Sequence, residues 1–185
     1  MERHPNILNR HNSALIIVDM QQRFESVIPD FSALIGNIIK LIEASRLFAL
    51  PLFYTEQYPK GLGRTSEAIL KHLGGCDAIE KMSFSICGEP ELTASLREKG
   101  VEQILLVGIE THVCILQSAL DLLHLGFQVH LPIDATSSRN PRNRDSALER
   151  MRQQGVTITN CESALFELTE ISGTEEFKAI SRLVK

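Results

Sequence analysis

A chain of 185 residues is sized for one domain rather than several. With 43% hydrophobic and 23% charged residues it has an ordinary globular composition, which excludes a disordered chain. Nineteen Lys and Arg against 23 Asp and Glu leave a net charge of -4 with no basic run, which argues against a nucleic-acid partner. The longest apolar run, counting glycine, is Ile104 to Ile109, far short of the roughly 20 residues needed to span a bilayer. The opening MERHPNILNRHN contains no apolar signal core, so a soluble cytoplasmic protein is expected. Four cysteines, Cys76, Cys87, Cys114 and Cys161, form no CxxC pair; without a secretory signal they read as free thiols rather than disulfides or zinc ligands.

Two periods alternate along the chain. Ala14 to Val18 is a short continuous apolar run, as a strand buried on both faces of a parallel sheet requires. Phe31, Leu34, Ile35, Ile38, Ile39 and Ile42 recur at helical spacing, predicting a helix up to about Leu50 that Pro51 stops. Leu52 to Thr55 reads as a second strand and 56–66 as a loop. A helix near 66–72 and a short strand around Ala78 to Glu80 follow. After Pro90 a helix ends in glycine and a strand begins at once, three times: at Gly100, Gly126 and Gly155. The helices between span roughly 90–99, 113–125 and 141–154, and two more follow Glu162. Six strands alternating with helices imply right-handed crossovers and one mostly parallel sheet covered on both faces, an α/β domain running the length of the chain.

Open α/β sheets bind ligands at the carboxyl ends of their strands. Asp19 directly follows the first apolar run, where it reads either as a turn aspartate or as a general base or metal ligand. After the fourth strand, Ile109-Glu-Thr-His-Val-Cys114 leads into the helical stripe Leu116, Ala119, Leu120 and Leu123. That places Cys114 in a first helical turn, where unpaired N–H groups lower a thiol's pKa and offer an oxyanion site. Its plainer reading is a small buried hydrophobe. Lys81, after the weak third strand, is a surface charge unless it meets Asp19 and Cys114, where an ammonium would stabilise a thiolate and orient the carboxylate.

VDMQ at 18–21, Lys81, and VGIETHVC at 107–114 with its GxxTxxC turn resemble the isochorismatase-like cysteine hydrolase superfamily from about Ser13 to Glu167. TEQYPKGLGRT at 55–65 is similar to its isochorismatase-domain-containing and YcaC-like branch. The resemblance implies a three-layer αβα sandwich around a six-stranded parallel sheet, an Asp19-Lys81-Cys114 triad and homo-oligomers. It also implies a cis peptide at Ile109–Glu110 and an oxyanion hole made by the amides of Glu110 and Cys114. Nicotinamidases of this superfamily carry a metal-binding Asp-x-His after the second strand; Thr55-Glu56-Gln57-Tyr58 departs from it, so neither a metal nor another cofactor is expected. Thr111 and His112 are assigned to hydrogen bonds that support the turn.

Phe24 is either a wall for a flat substrate group or ordinary core, and Gln57 and Tyr58 could give polar contacts at the rim. Gly61 and Gly63 would let their loop close over the site. Arg139, Arg142 and Arg144 form an anion cradle or, more simply, a solvated face. Phe177, Ile180, Leu183 and Val184 could supply a subunit interface or pack within the chain.

Together these residues point to hydrolysis of a small molecule at an amide-type C–N bond, through an acyl-enzyme on Cys114. Vinyl-ether hydrolysis, which needs no nucleophile, is an alternative. So are a degenerate scaffold or binding protein and a redox thiol resolved by Cys87 or Cys161.

Overall fold

The computed structural model describes residues 3–185. In chain order the elements are β1 (Ser13–Val18), α1 (Phe31–Leu47), β2 (Leu52–Gln57), α2 (Pro59–Leu62), α3 (Glu67–Leu70), β3 (Ile79–Lys81), α4 (Pro90–Glu98), β4 (Gln103–Ile109) and α5 (Leu116–His124). They continue with β5 (Gln128–Pro132), β6 (Thr136–Ser137), α6 (Pro141–Gln153), β7 (Thr157–Thr159), α7 (Cys161–Thr169) and α8 (Glu175–Val184).

The strands are parallel, in the order β3-β2-β1-β4-β5-β7. The sheet has seven strands rather than the expected six, because β5 pairs with β4 only over Gln103–Leu105. Beyond that point β6 takes its place, pairing at Gly108 and Ile109. Two residues are too short to show as an apolar run.

Strand alternation sorts the core into two layers. Leu15, Ile17, Leu105, Val107 and Ile109 face one side, with Ile38, Leu41 and Ile42 of α1, Leu165 and Leu168 of α7, and Ile180 of α8. Ala14, Ile16, Val18, Ile104 and Leu106 face the other, against Leu92 and Leu96 of α4, Ala119 and Leu122 of α5, and Leu148 and Met151 of α6. This is why β1 and β4 read as unbroken apolar runs: each residue has a helix to face. Each fully buried aliphatic side chain contributes about 1.5–3 kcal/mol.

Several boundaries differ from expectation. Helix α1 stops at Leu47, because Ala49 adopts φ +54° and lets the Leu50 amide reach the Ser45 carbonyl, which turns Leu50 into the core. Strand β2 runs two residues further, through Glu56 and Gln57, and the loop after it contains the single turn α2. Strand β3 is shifted to Ile79–Lys81. The C-terminal apolar residues pack within the chain: Ile180 is in the core, Leu183 and Val184 lie against it, and the Phe177 and Phe166 rings meet at 6.2 Å. They do not supply the open interface considered for them. No helix among the described residues is long and apolar enough to cross a membrane.

Candidate active site

The strand order reverses direction between β1 and β4, and the site is built at the carboxyl ends of that pair. Asp19, one residue past β1, takes φ +54°, a left-handed conformation that Asp tolerates better than most residues. Its Oδ1 accepts from Thr55 Oγ1 at 2.7 Å and its Oδ2 from Lys81 Nζ at 2.7 Å. Lys81 is the last residue of β3, two strands away, and its side chain is 0% exposed. The ammonium also donates to Gln57 Oε1 at 2.6 Å and to the Ser83 and Phe84 carbonyls at 3.1 and 3.2 Å. A buried charge this fully bonded is held in one place.

Cys114 arrives from β4. Gly108 pairs with Val18 at φ +115°, and a Cβ on it would lie 2.1 Å from the Val18 carbonyl oxygen, so only glycine lets the two strand ends close. The Ile109–Glu110 peptide is cis. Cys114 then lies in a π-helical turn, Thr111–Ile115, rather than in the first turn of the α-helix. Side chains brace this turn from the far side: Thr111 Oγ1 to Thr136 Oγ1 at 2.8 Å, His112 Nδ1 to Ser138 Oγ at 2.9 Å, and Glu110 Oε1 from Arg139 N and Nε at 3.0 and 3.1 Å.

The thiol is not a low-pKa thiolate at rest, contrary to expectation. Burial, and then the negative charge of Asp19, push Cys114 up to about 12. Lys81 and the nearby Glu110 backbone pull it down, but less. A helical N-terminus cannot outweigh desolvation and an adjacent carboxylate. The site is therefore a buried neutral thiol under the negative charge of Asp19, which is itself paired with Lys81.

The isochorismatase domain family model matches residues 13–163, which include all three residues. The chain belongs to the isochorismatase family. It is 41% identical over 177 residues to isochorismatase family protein 1A of Dictyostelium discoideum, covering 94% of this chain and 86% of that protein. It superposes on the MAR1 ribonuclease structure from Caenorhabditis elegans with a TM-score of 0.89 and 38% identity, covering 96% and 91% of the two chains. YcaC from Pseudomonas aeruginosa gives a TM-score of 0.87 at 25% identity, covering 97% and 92%.

Other residues singled out in this isochorismatase-family chain fall in varied places. Phe24 ends a short 3-10 turn and packs, partly buried, against the α1-side core. The Gln57 amide is engaged at both ends within the protein, Oε1 accepting from Lys81 and one Nε2–H donating to the Met82 carbonyl at 2.9 Å. The Tyr58 ring is half-exposed and covers Gly61, where an added Cβ would clash with it. The loop that carries Gly61 and Gly63 contacts the segment after β1, with Gln21 Nε2 donating to the Gly63 carbonyl at 2.6 Å and Gln22 N to the Arg64 carbonyl at 2.9 Å.

The arginines do not form a cradle. Arg139 is engaged by Glu110, and Arg144 bonds the Ile133 carbonyl at 2.5 Å and Asp145 at 3.3 Å. Glu56, at the departure from the nicotinamidase pattern, accepts from the Thr65 amide at 2.7 Å. Among the described residues no group of three or more His, Cys, Asp or Glu converges to hold a metal. Two participants were missed by sequence reasoning. Gln21 lies inside VDMQ and Thr55 is the fourth residue of β2, but both residue types are common near strand ends and carry no signal alone.

Proposed function

We propose that this hydrolase-fold chain is a small-molecule cysteine hydrolase that cleaves an amide-type C–N bond. The observation that carries the reading is the buried Asp19–Lys81 pair, with Asp19 near enough to the Cys114 thiol for its charge to raise the thiol's pKa. As Cys114 Sγ attacks the carbonyl carbon, Asp19 takes the thiol proton and the carbonyl oxygen acquires the negative charge. The raised thiol pKa makes proton transfer and attack one event rather than two. Backbone N–H groups of Glu110 and Cys114 stabilise the oxyanion, each worth a factor of about 10²–10³. Collapse breaks the C–N bond while Asp19 returns its proton to the amine. Water then adds to the thioester, giving its proton to Asp19, which passes it to sulfur as the acid leaves. Lys81 keeps the carboxylate charged and aimed. No step requires a metal.

The P. aeruginosa YcaC structure contains covalent acrylamide, an amide that reacts with thiols, which supports a reactive nucleophile in a relative. Vinyl-ether hydrolysis would leave Cys114 without a task. The ribonuclease name of the C. elegans relative marks a rival, but a polyanion would meet Asp77, Glu80, Glu89 and Glu91 along the β3 edge and a net charge of -4. We also read the chain as a cytoplasmic homo-oligomer. Tyr58, Met82 and Phe84, 47%, 71% and 53% exposed, are an apolar surface next to Lys81 suited to a second copy. A monomer in sedimentation at micromolar concentration would overturn that part.

The deciding experiment is a panel of primary and secondary amides, with amine release as readout and intact mass of the enzyme recorded at early times. Turnover with an acyl adduct on Cys114, both absent in Cys114→Ala, is expected. Turnover surviving in Cys114→Ala would end the covalent mechanism. No turnover and no adduct with any amide would leave a scaffold or binding role, and cleavage of RNA instead would favour the rival.

A further inference from the structure

We propose that Gln57 is a positioning residue for Lys81, and that Gln21 holds Gln57 in place. The proposal rests on Asp19, Lys81 and Cys114 being the reacting centre.

The Lys81 ammonium has three N–H groups and no exposed surface. It faces four acceptors: the Asp19 carboxylate at 2.7 Å, the Gln57 amide oxygen at 2.6 Å, and two backbone carbonyls at 3.1 and 3.2 Å. One proton each for Asp19 and Gln57 leaves the third shared between the carbonyls of Ser83 and Phe84. Every N–H is therefore used inside the protein, and none is left for a substrate. Lys81 can act only through Asp19, and its aim depends on what fixes its other side.

That is Gln57, whose own orientation is determined. Its Nε2 donates to the Met82 carbonyl at 2.9 Å, so the opposite rotamer would turn an NH₂ towards the ammonium. Its backbone is clamped by the buried Gln21, which accepts from Gln57 N at 2.9 Å and donates to the Gln57 carbonyl at 3.0 Å. Gln57 N and O are thus paired by one side chain, as a neighbouring strand would pair them.

The residue type matters as well as the geometry. A carboxylate at 57 would share the ammonium between two anions and add negative charge beside Asp19 and Cys114. An apolar side chain would remove the shortest of the neutral acceptors and leave the ammonium, besides Asp19, only the two longer bonds to the Ser83 and Phe84 carbonyls, free to shift towards them. A neutral acceptor satisfies the ammonium and leaves its charge to Asp19.

The test is the pH dependence of Cys114 alkylation, resolved from the other cysteines by peptide mass spectrometry on the full chain. Gln57→Glu is expected to slow Cys114 alkylation about tenfold at a given pH, equivalent to a profile displaced upward by about one unit. Gln57→Met keeps the shape and removes the acceptor; it should slow alkylation about threefold with the melting temperature unchanged, and it decides the matter if Gln57→Glu does not fold. Asp19→Asn serves as the control on the centre, because loss of its charge should speed alkylation. If Asp19→Asn moves the profile and neither Gln57 variant does, Gln57 has no positioning role. If Asp19→Asn also leaves it unmoved, the reading of the reacting centre falls, and the role of Gln57 with it.

Discussion

Lys81 Nζ lies 2.7 Å from Asp19 Oδ2, and neither side chain is more than 2% exposed. Removing one partner from such a pair leaves an uncompensated buried charge, which costs far more than the pair itself contributes. Lys81→Met should therefore destabilise the protein by about 3–5 kcal/mol. The double variant Asp19→Asn with Lys81→Met should regain part of that loss, because it buries no net charge. Denaturant midpoints of the two variants decide it: a double variant less stable than Lys81→Met would show that the residues matter through packing rather than charge.

The same carboxylate governs the thiol. Burial comes first in holding Cys114 up to about 12, and the Asp19 charge adds to it. At neutral pH the native thiol should thus be sluggish towards iodoacetamide, slower than the exposed Cys76. Asp19→Asn removes a group that raises the pKa, so alkylation of Cys114 should accelerate while turnover is lost. Slower alkylation in Asp19→Asn would mean that Asp19 activates the free thiol directly, and the concerted proton transfer would have to be abandoned.

Much of this site was legible in the sequence, and the reason is positional. Asp19 directly follows the apolar run of β1, Lys81 ends the short β3, and Cys114 lies five residues past the apolar run of β4; a parallel sheet brings such positions to one edge. What could not be read is what the side chains do after arrival. The thiol pKa depends on how deeply the π-helical turn buries Cys114, a property of three-dimensional packing that its neighbours in sequence do not report. The internal partners of Gln57 were hidden for a similar reason. A polar residue at a strand end suggests a ligand contact, and only the fold reveals that Lys81 and Met82 use both ends of its amide. β6 was invisible because a two-residue strand has no period.

Gly108 sets how closely β1 and β4 approach. Gly108→Ala would put a methyl group 2.1 Å from the Val18 carbonyl oxygen at φ +115°, so backbone strain and overpacking act together. The expected cost is about 2–6 kcal/mol. The shift would fall between Asp19 and Cys114, so activity should drop further than the folded fraction does. Equal losses in the two measurements would confine the role of Gly108 to stability.

His130 presents a different kind of problem. It is the third residue of β5, fully buried, with Leu105 and Thr157 as its register partners on either side. Its neighbours Val129 and Leu131 face the α4-α5-α6 layer, so its ring points to the opposite one. Neither ring nitrogen has a hydrogen-bond partner among the described residues. Burial lowers the imidazole to about 4, so the folded protein holds it neutral while the unfolded chain protonates near 6.5. The sign follows: stability is complete above about pH 6.5 and falls as pH drops from there towards 4, by up to about 3 kcal/mol. His130→Leu removes both the titration and an unsatisfied N–H that costs about 1–3 kcal/mol. It should therefore be more stable than the parent at pH 7.5, and by a wider margin at pH 5. Denaturant midpoints at the two pH values test this, and a margin that does not grow at pH 5 would mean that the buried imidazole finds a partner for its proton.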